Sequence, residues 1–532
     1  MALTPSQLVL VSVVLWVGWR FVRHLTKKNI WDNVPGPIPH SFFTGDLEQL
    51  FHRHEGWGYM KRLEEIASVV HLRGLLGARI HVSFRNQSAL RLPRFSSPLT
   101  GYKFQGAQHR RQRKVLNTVF STENMRKMTP MFYELSRKLR CSLSELVKSS
   151  SKEIDVVHWM GRAALEFVAQ GGMGHSFDSL QPYDEDKHVV GKAMKTLGPL
   201  LFALHFWRLA SEFLQELGPP NFRRKLADLL VSVFPDKNLG RMRDVIDTLD
   251  DAARTIYNER LVSIAKQNDG LEERSEGTDV LSMLLKANER SGEGEGLSEA
   301  EILAQMSTML FAGTDTTSNA LGRILQALAE HPDVQSKVRD ELKSARDYRG
   351  QDIPYDELVG LPLLDAACRE TLRLYSPITV VPRQTITDIV LPLEKPICGV
   401  DGNMISELPI PKGTLLMPSY LSCNTSKAIW GDDASEWRPQ RWLSPLPATV
   451  LQARIPGVYS NLMTFGGGPR SCIGFRFSQL EMKVVLSVLL EHFSFSLTGR
   501  KIFWNLSGIS YPTMDESSIE PSLYLKVEAL DA

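Results

Sequence analysis

Near the C-terminus, the run FGGGPRSCIG from Phe465 to Gly474 sets one cysteine in a glycine-rich loop that leads straight into an apolar helical pattern. Gly466, Gly467 and Gly468 permit positive backbone dihedrals and close approach to a flat partner. Cys472 falls at the start of the helix predicted over IGFRFSQLEMKVVLSVLL. There the unpaired amides and the helix dipole favour a thiolate. A thiolate is the axial ligand that pushes electron density into haem iron and favours O–O cleavage.

A second chemical constellation lies upstream in Ala312-Gly313-Thr314-Asp315-Thr316-Thr317. A capping box, Ser298 with Glu301, starts the helix that carries it, and Pro332 after His331 stops it. Glycine in mid-helix costs about 1 kcal/mol relative to alanine, so a reason is wanted. Ala312 and Thr316 share a face with Gly313 beside them, and small residues there leave a groove for a diatomic ligand. A threonine hydroxyl that bonds back to its own helix loosens it and admits water. Asp315 next to Thr316 supplies an acid–alcohol pair able to relay protons. A third feature, Glu370 and Arg373, places opposite charges three residues apart in the largely apolar helix AACRETLRLYSP, so the pair is expected to be buried.

The cysteine loop resembles the haem-binding signature F-x-x-G-x-R-x-C-x-G of the cytochrome P450 superfamily, the haem-thiolate monooxygenases, at Phe465, Gly468, Arg470, Cys472 and Gly474. Ala312 to Thr317 is similar throughout to the family's oxygen-binding motif. Glu370 and Arg373 resemble its E-x-x-R motif, and Arg441 in WRPQRW resembles the third member of that network. Gln440 departs from the glutamate found in many members. The resemblance implies a mainly α fold with small peripheral β-sheets. Heme b lies in it between the oxygen-activating helix and the cysteine loop, with Cys472 as the iron ligand. It implies that Thr316 and Asp315 manage proton delivery and that Ala312 and Gly313 shape the oxygen groove. Arg113, Arg383, Arg470 and His109, where many relatives have tryptophan, are the implied partners of the haem propionates.

The implied reaction uses O2 and electrons from NADPH to hydroxylate or epoxidise a lipophilic small molecule, with a terpenoid or another secondary metabolite as first reading. The chain carries no flavin- or nicotinamide-binding fingerprint, so the resemblance implies NADPH–cytochrome P450 reductase as electron donor, with cytochrome b5 as an optional second one. Rival readings are a haem-thiolate isomerase or dehydratase that does not use O2, a xenobiotic or fatty-acid hydroxylase, and a non-catalytic haem binder. The Asp315–Thr316 pair argues against the first of these.

The elements that must position this chemistry belong to a chain of 532 residues with no internal linker and no repeat, read as one catalytic domain over residues 41–532. A net charge of +2 gives no reason to expect a nucleic-acid partner. The basic run from His109 to Lys114 is read as a solvated helix face or an internal anion site. Five cysteines in this length do not form a disulfide framework. The apolar stretch Leu8 to Trp19, followed by Arg20, Arg23, Lys27 and Lys28, predicts a single-pass anchor within residues 1–30. That orientation leaves the domain on the cytosolic side of the endoplasmic reticulum, where the sequons at Asn86, Asn424 and Asn505 are incidental. The proline-rich segment 31–40 is read as a hinge.

Residues 104–345 read as mostly helical, with polar surface loops at 267–277 and 287–296. Strands are predicted within 379–418 and over 493–497 and 522–527. By family analogy the substrate pocket takes residues from 102–107, 197–213, 303–316, 378–381 and 507–510. Phe202, Phe206, Trp207, Met306, Leu310, Phe311, Val380 and Ile509 are its apolar members.

Overall fold

The structure is a computed structural model. It describes residues 30–530 apart from 42, 75–78, 84–94, 97–106, 149–150, 179, 182–188, 205–217, 235, 269–278, 290–295 and 350–351. The predicted anchor, most of both polar loops and the stretch containing Phe206 and Trp207 lie outside the described residues. Among the described residues no helix is long and apolar enough to cross a membrane.

The chain divides into two compact units, one from residues 1–99 and 381–419 and one from 100–380 and 420–532. The chain contributes to the smaller unit twice, returning to it after residue 380. The smaller unit holds helix α1 (Glu55–Ile66), which buries Tyr59, Met60 and Leu63. Its five-stranded sheet runs in the order Val69–Arg73, Arg79–Ser83, Leu415–Pro418, Arg383–Thr385, Phe95–Ser96. Ile389–Cys398 and Met404–Ile410 pair separately as an antiparallel hairpin. The strands predicted within 379–418 are present; the pair at 69–83 was not predicted. Trp31, Val34, Val69, Leu391, Leu408 and Leu416 share one core cluster. Trp31 and Val34 are buried and Pro35 O accepts the His71 amide at 2.9 Å, so the start of the proline-rich segment packs on the smaller unit.

The larger unit is mainly helical, as expected. Its main helices in chain order are α2 (Ala107–Val119), α3 (Thr122–Leu146), α4 (Val156–Met173), α5 (Val189–Ala203), α6 (Lys237–Asn268), α7 (Glu299–Glu330), α8 (Pro332–Arg349), α9 (Pro362–Leu374) and α10 (Phe475–His492). Helix α4 is apolar nearly all round and is correspondingly buried along its whole length. It packs along α7, which also touches α6, α9 and α10 and so occupies the middle of this unit. The predicted capping box is present: Glu301 N donates to Ser298 Oγ at 3.3 Å, and Ser298 N donates to Glu301 Oε2 at 2.9 Å. Pro332 both ends α7 and begins α8, a position that needs no amide hydrogen. A three-stranded antiparallel sheet completes the unit, with Tyr524–Ala529 between Phe493–Leu497 and Lys152–Asp155. Phe493–Leu497 has the predicted bounds, the last strand starts two residues later than read, and Lys152–Asp155 was missed inside a stretch read as helical.

Candidate active site

The strand Leu462–Gly467 and the single turn Gly468–Arg470 deliver the cysteine, and α10 begins behind it with Gly474 as its N-cap residue. Gly466 and Gly468 take φ values of 66° and 69°, the left-handed backbone that glycine alone adopts freely. Gly467 is extended and serves a different purpose: a Cβ there would lie 2.3 Å from the Pro456 carbonyl oxygen. The Cys472 amide donates to Phe465 O at 2.8 Å, closing the loop on itself. Protein atoms crowd the thiol, and this burial pushes its pKa up, outweighing the Gly474 amide and the Arg113 guanidinium that pull it down. A metal cation bound to this sulfur would displace the proton. Cys472 nevertheless keeps accessible surface. Of the other cysteines, Cys368 and Cys423 are buried, and burial pushes the Cys368 thiol up to about 12.

Helix α2 brings its basic run to this loop, and the run divides by face. Arg113 donates from Nη1 to Ser471 O at 2.6 Å and from Nη2 to Ser471 Oγ at 3.2 Å, gripping the residue before the cysteine. His109 lies close enough to Arg470 and Arg113 to feel both charges, which together with burial lower its pKa. Arg111 and Gln112 bind Glu301 Oε1 at 3.2 and 3.1 Å, tying α2 to the start of α7. Arg110 and Lys114 face outward, as a solvated helix face predicts. Arg383 belongs to the smaller unit, on the strand Arg383–Thr385, where its Nη1 donates to Pro382 O at 3.3 Å.

On α7, Thr308 and Ala312 are exposed and Thr316 half-buried although the helix is central. Three residues at i, i+4 and i+8 thus form an accessible stripe. Thr316 Oγ1 donates to Ala312 O at 2.7 Å, the back-bonding its position predicts. Next to it, Thr317 Oγ1 donates to Ser478 Oγ of α10 at 3.2 Å, tying α7 to the helix that follows Cys472. Met306 and Leu310, taken from the sequence as pocket members, have no accessible surface and belong to the core on the other side of α7. Ile509 is also buried, while Phe311 and Val380 are partly accessible.

Two residues of this helix take neighbours the sequence did not suggest. Gly313 also serves packing: a Cβ would meet Val168 Cγ2 of α4 at 2.4 Å, so its absence lets the two helices approach. Asp315 does not contact Thr316 as an acid–alcohol pair. Consecutive helical residues point about 100° apart, and the Asp315 carboxylate faces α5, where Lys195 Nζ reaches Oδ1 at 3.1 Å, while Asn319 Nδ2, one turn on along α7, reaches it at 3.3 Å. Burial raises the Asp315 pKa against the pull of Lys195. Lys195 gave no signal in the sequence, because nothing there relates residue 195 to residue 315.

Helix α9 carries the charge network. Arg373 and Glu370 have no exposed side-chain surface and form a bidentate pair at 2.9 and 2.8 Å. Arg441 Nε reaches Glu370 Oε1 at 3.3 Å. The network also takes members the sequence did not suggest. The Trp442 indole and the Arg438 amide each donate to Glu370 at 3.0 Å, and Asp433 accepts from Arg441 at 3.0 Å. Gln440 is exposed, and Asp433 supplies the second carboxylate for Arg441.

On α10, Glu481 is fully buried, and neither carboxylate oxygen has a hydrogen-bond partner among the described residues. Desolvation alone holds its pKa well above the ordinary 4.5. A carboxyl raised in the folded state favours folding below its unfolded pKa and loses that contribution as pH rises toward the folded value. Thermal midpoints measured from pH 5 to pH 8 are therefore expected to fall less steeply for Glu481→Gln than for the wild type. Parallel curves would mean that the carboxyl is not neutral in the fold.

The loop, the accessible stripe and the buried charge network together suit a flat, iron-bearing group held by a thiol, with cationic side chains for its carboxylates. The family model for cytochrome P450 matches residues 102–508, and the chain belongs to the cytochrome P450 family of haem-thiolate monooxygenases. It is 45% identical to cytochrome P450 monooxygenase 91 of Postia placenta over 98% of each chain. It is 42% identical to monooxygenase 212 of the same fungus over 96% of each. To a ganoderic acid synthetase of Ganoderma lucidum it is 41% identical over 99% of each.

Proposed function

We propose that this monooxygenase is anchored in the endoplasmic reticulum by residues 1–30 and that it hydroxylates or epoxidises a lipophilic secondary metabolite, a terpenoid first among them. The observation that carries the reading is the accessible stripe Thr308, Ala312, Thr316 beside the Cys472 helix. The full-length likeness to an enzyme named for ganoderic acid supports the substrate class. The uncharged stretch before Arg20 supports the anchor.

Haem bound through Cys472 supplies the activation of O2 with electrons from a separate NADPH-dependent reductase. The protein's own residues do the rest. Cys472 would hold the iron, while Arg113, His109 and Arg470, all of the larger unit, would hold the propionates. Thr316 Oγ1 presents a hydroxyl on the accessible side of α7, and Asp315, one residue back and paired with Lys195, is the buried proton store behind it. Ala312 keeps that side open by its small size.

In reductase-supported microsomes given a panel of lipophilic compounds, the wild type is expected to convert a terpenoid to a product heavier by one oxygen atom. Thr316→Ala should keep consuming NADPH. Its product per NADPH should fall toward the roughly hundredfold loss that removal of a positioned proton donor causes. Unchanged coupling in that variant would remove Thr316 from the proton route.

A further inference from the structure

We propose that Asp365, Lys483 and Arg369 form a second buried ion cluster, distinct from Glu370, Arg373 and Arg441, that positions both ends of the cysteine loop. The inference rests on Cys472 being the iron ligand.

Lys483 has no accessible side-chain surface, an unusual state for lysine. Its Nζ donates to Val359 O and to Asp365 Oδ1, each at 2.6 Å. The other Asp365 oxygen pairs with Arg369, one turn further along α9. From Asp365, two routes run to the cysteine. One passes through Lys483 along α10, the helix that begins three residues after Cys472. The other passes through Arg369, whose guanidinium lies 5.4 Å from the centre of the Tyr459 ring. Tyr459 is buried and packs edge-on against Phe465 at 5.4 Å. The Phe465 carbonyl then accepts the Cys472 amide. One carboxylate thus refers both the entry and the exit of the loop to the same point on α9.

A buried ion pair is often no more stabilising than apolar residues of the same volume, and its best-attested use is to set register. Here the register is that of α10 against α9. A slip there would move the sulfur, whereas apolar side chains in the same place would tolerate several packings. Lys483, Asp365 and Arg369 touch no reacting atom and are positioning residues.

The test uses purified holoprotein and the ferrous carbon monoxide spectrum, which separates thiolate-ligated from thiol-ligated haem. Asp365→Asn should fold and load haem, but its thiolate-ligated form should convert to the thiol-ligated form roughly tenfold faster than wild type, the scale of a coupled buried contact. The charge-balanced double variant Asp365→Met with Lys483→Met should regain thermal stability without regaining slow conversion. Tyr459→Leu, which leaves the ion cluster intact and removes the ring between Arg369 and Phe465, should accelerate conversion in the same direction and serves if Asp365→Asn does not fold. Wild-type conversion rates in the variants that fold, even with lower stability, would overturn the proposal and leave the cluster a packing feature. If Cys472 is not the ligand, the wild type itself lacks the thiolate spectrum, so the two failures are distinguishable.

Discussion

Replacing Cys472 with alanine is expected to abolish substrate oxidation and, in the reduced protein under carbon monoxide, the red-shifted Soret band of thiolate-ligated haem. The expectation follows from how little else in the site offers a thiolate. Cys368 and Cys423 are buried, and Cys141 and Cys398 are exposed on other elements. Only Cys472 combines accessible surface with the loop that Gly466 and Gly468 bend and that the Phe465 carbonyl closes. A polypeptide that kept its helical content and still bound haem, but through another ligand, would show a shifted Soret band and no turnover. Full oxidation after this substitution would remove the thiol from the chemistry.

Glu370→Ala should yield protein with little or no haem. Its carboxylate accepts both Arg373 contacts, Arg441 Nε, the Arg438 amide and the Trp442 indole. Removal strands a fully buried guanidinium and leaves those donors short of an acceptor. Losing one partner of a buried pair typically costs about 3–5 kcal/mol, a large share of the roughly 5–15 kcal/mol that holds a domain folded. Arg373→Ala should behave alike, because it also abandons the carbonyls of Asn424, Ala434 and Glu436. Haem per polypeptide and the denaturant midpoint measure both effects. Normal haem content in either variant would assign the network a lesser role.

Much of the site was legible because its signals are local in the chain. The capping box, the Gly466 and Gly468 bends, the Thr316 back-bond and the burial of a charge pair in an apolar helix all depend on residues within about one turn of one another. Periodicity likewise located α7, α10 and the strand Phe493–Leu497. Local pattern misled where a neighbour from elsewhere decided the outcome. Gly313 has a packing role that its own segment does not show, because Val168 of α4 lies against it. Met306 and Leu310 looked like pocket walls, but the face of α7 that turns inward is set by α4 and α10.

Sequence alone therefore determined the family, the cysteine and the helix that opposes it, since each is written in residue types at fixed short spacing. The tertiary structure alone decided that Asp315 turns to Lys195, that Asp433 joins Arg441, and that Asp365 joins Lys483 to Arg369. Lys195 and Lys483 lie more than a hundred residues from their carboxylates in the chain, and a buried charge takes whichever opposite charge the packing places within reach. No short-range pattern encodes those two choices.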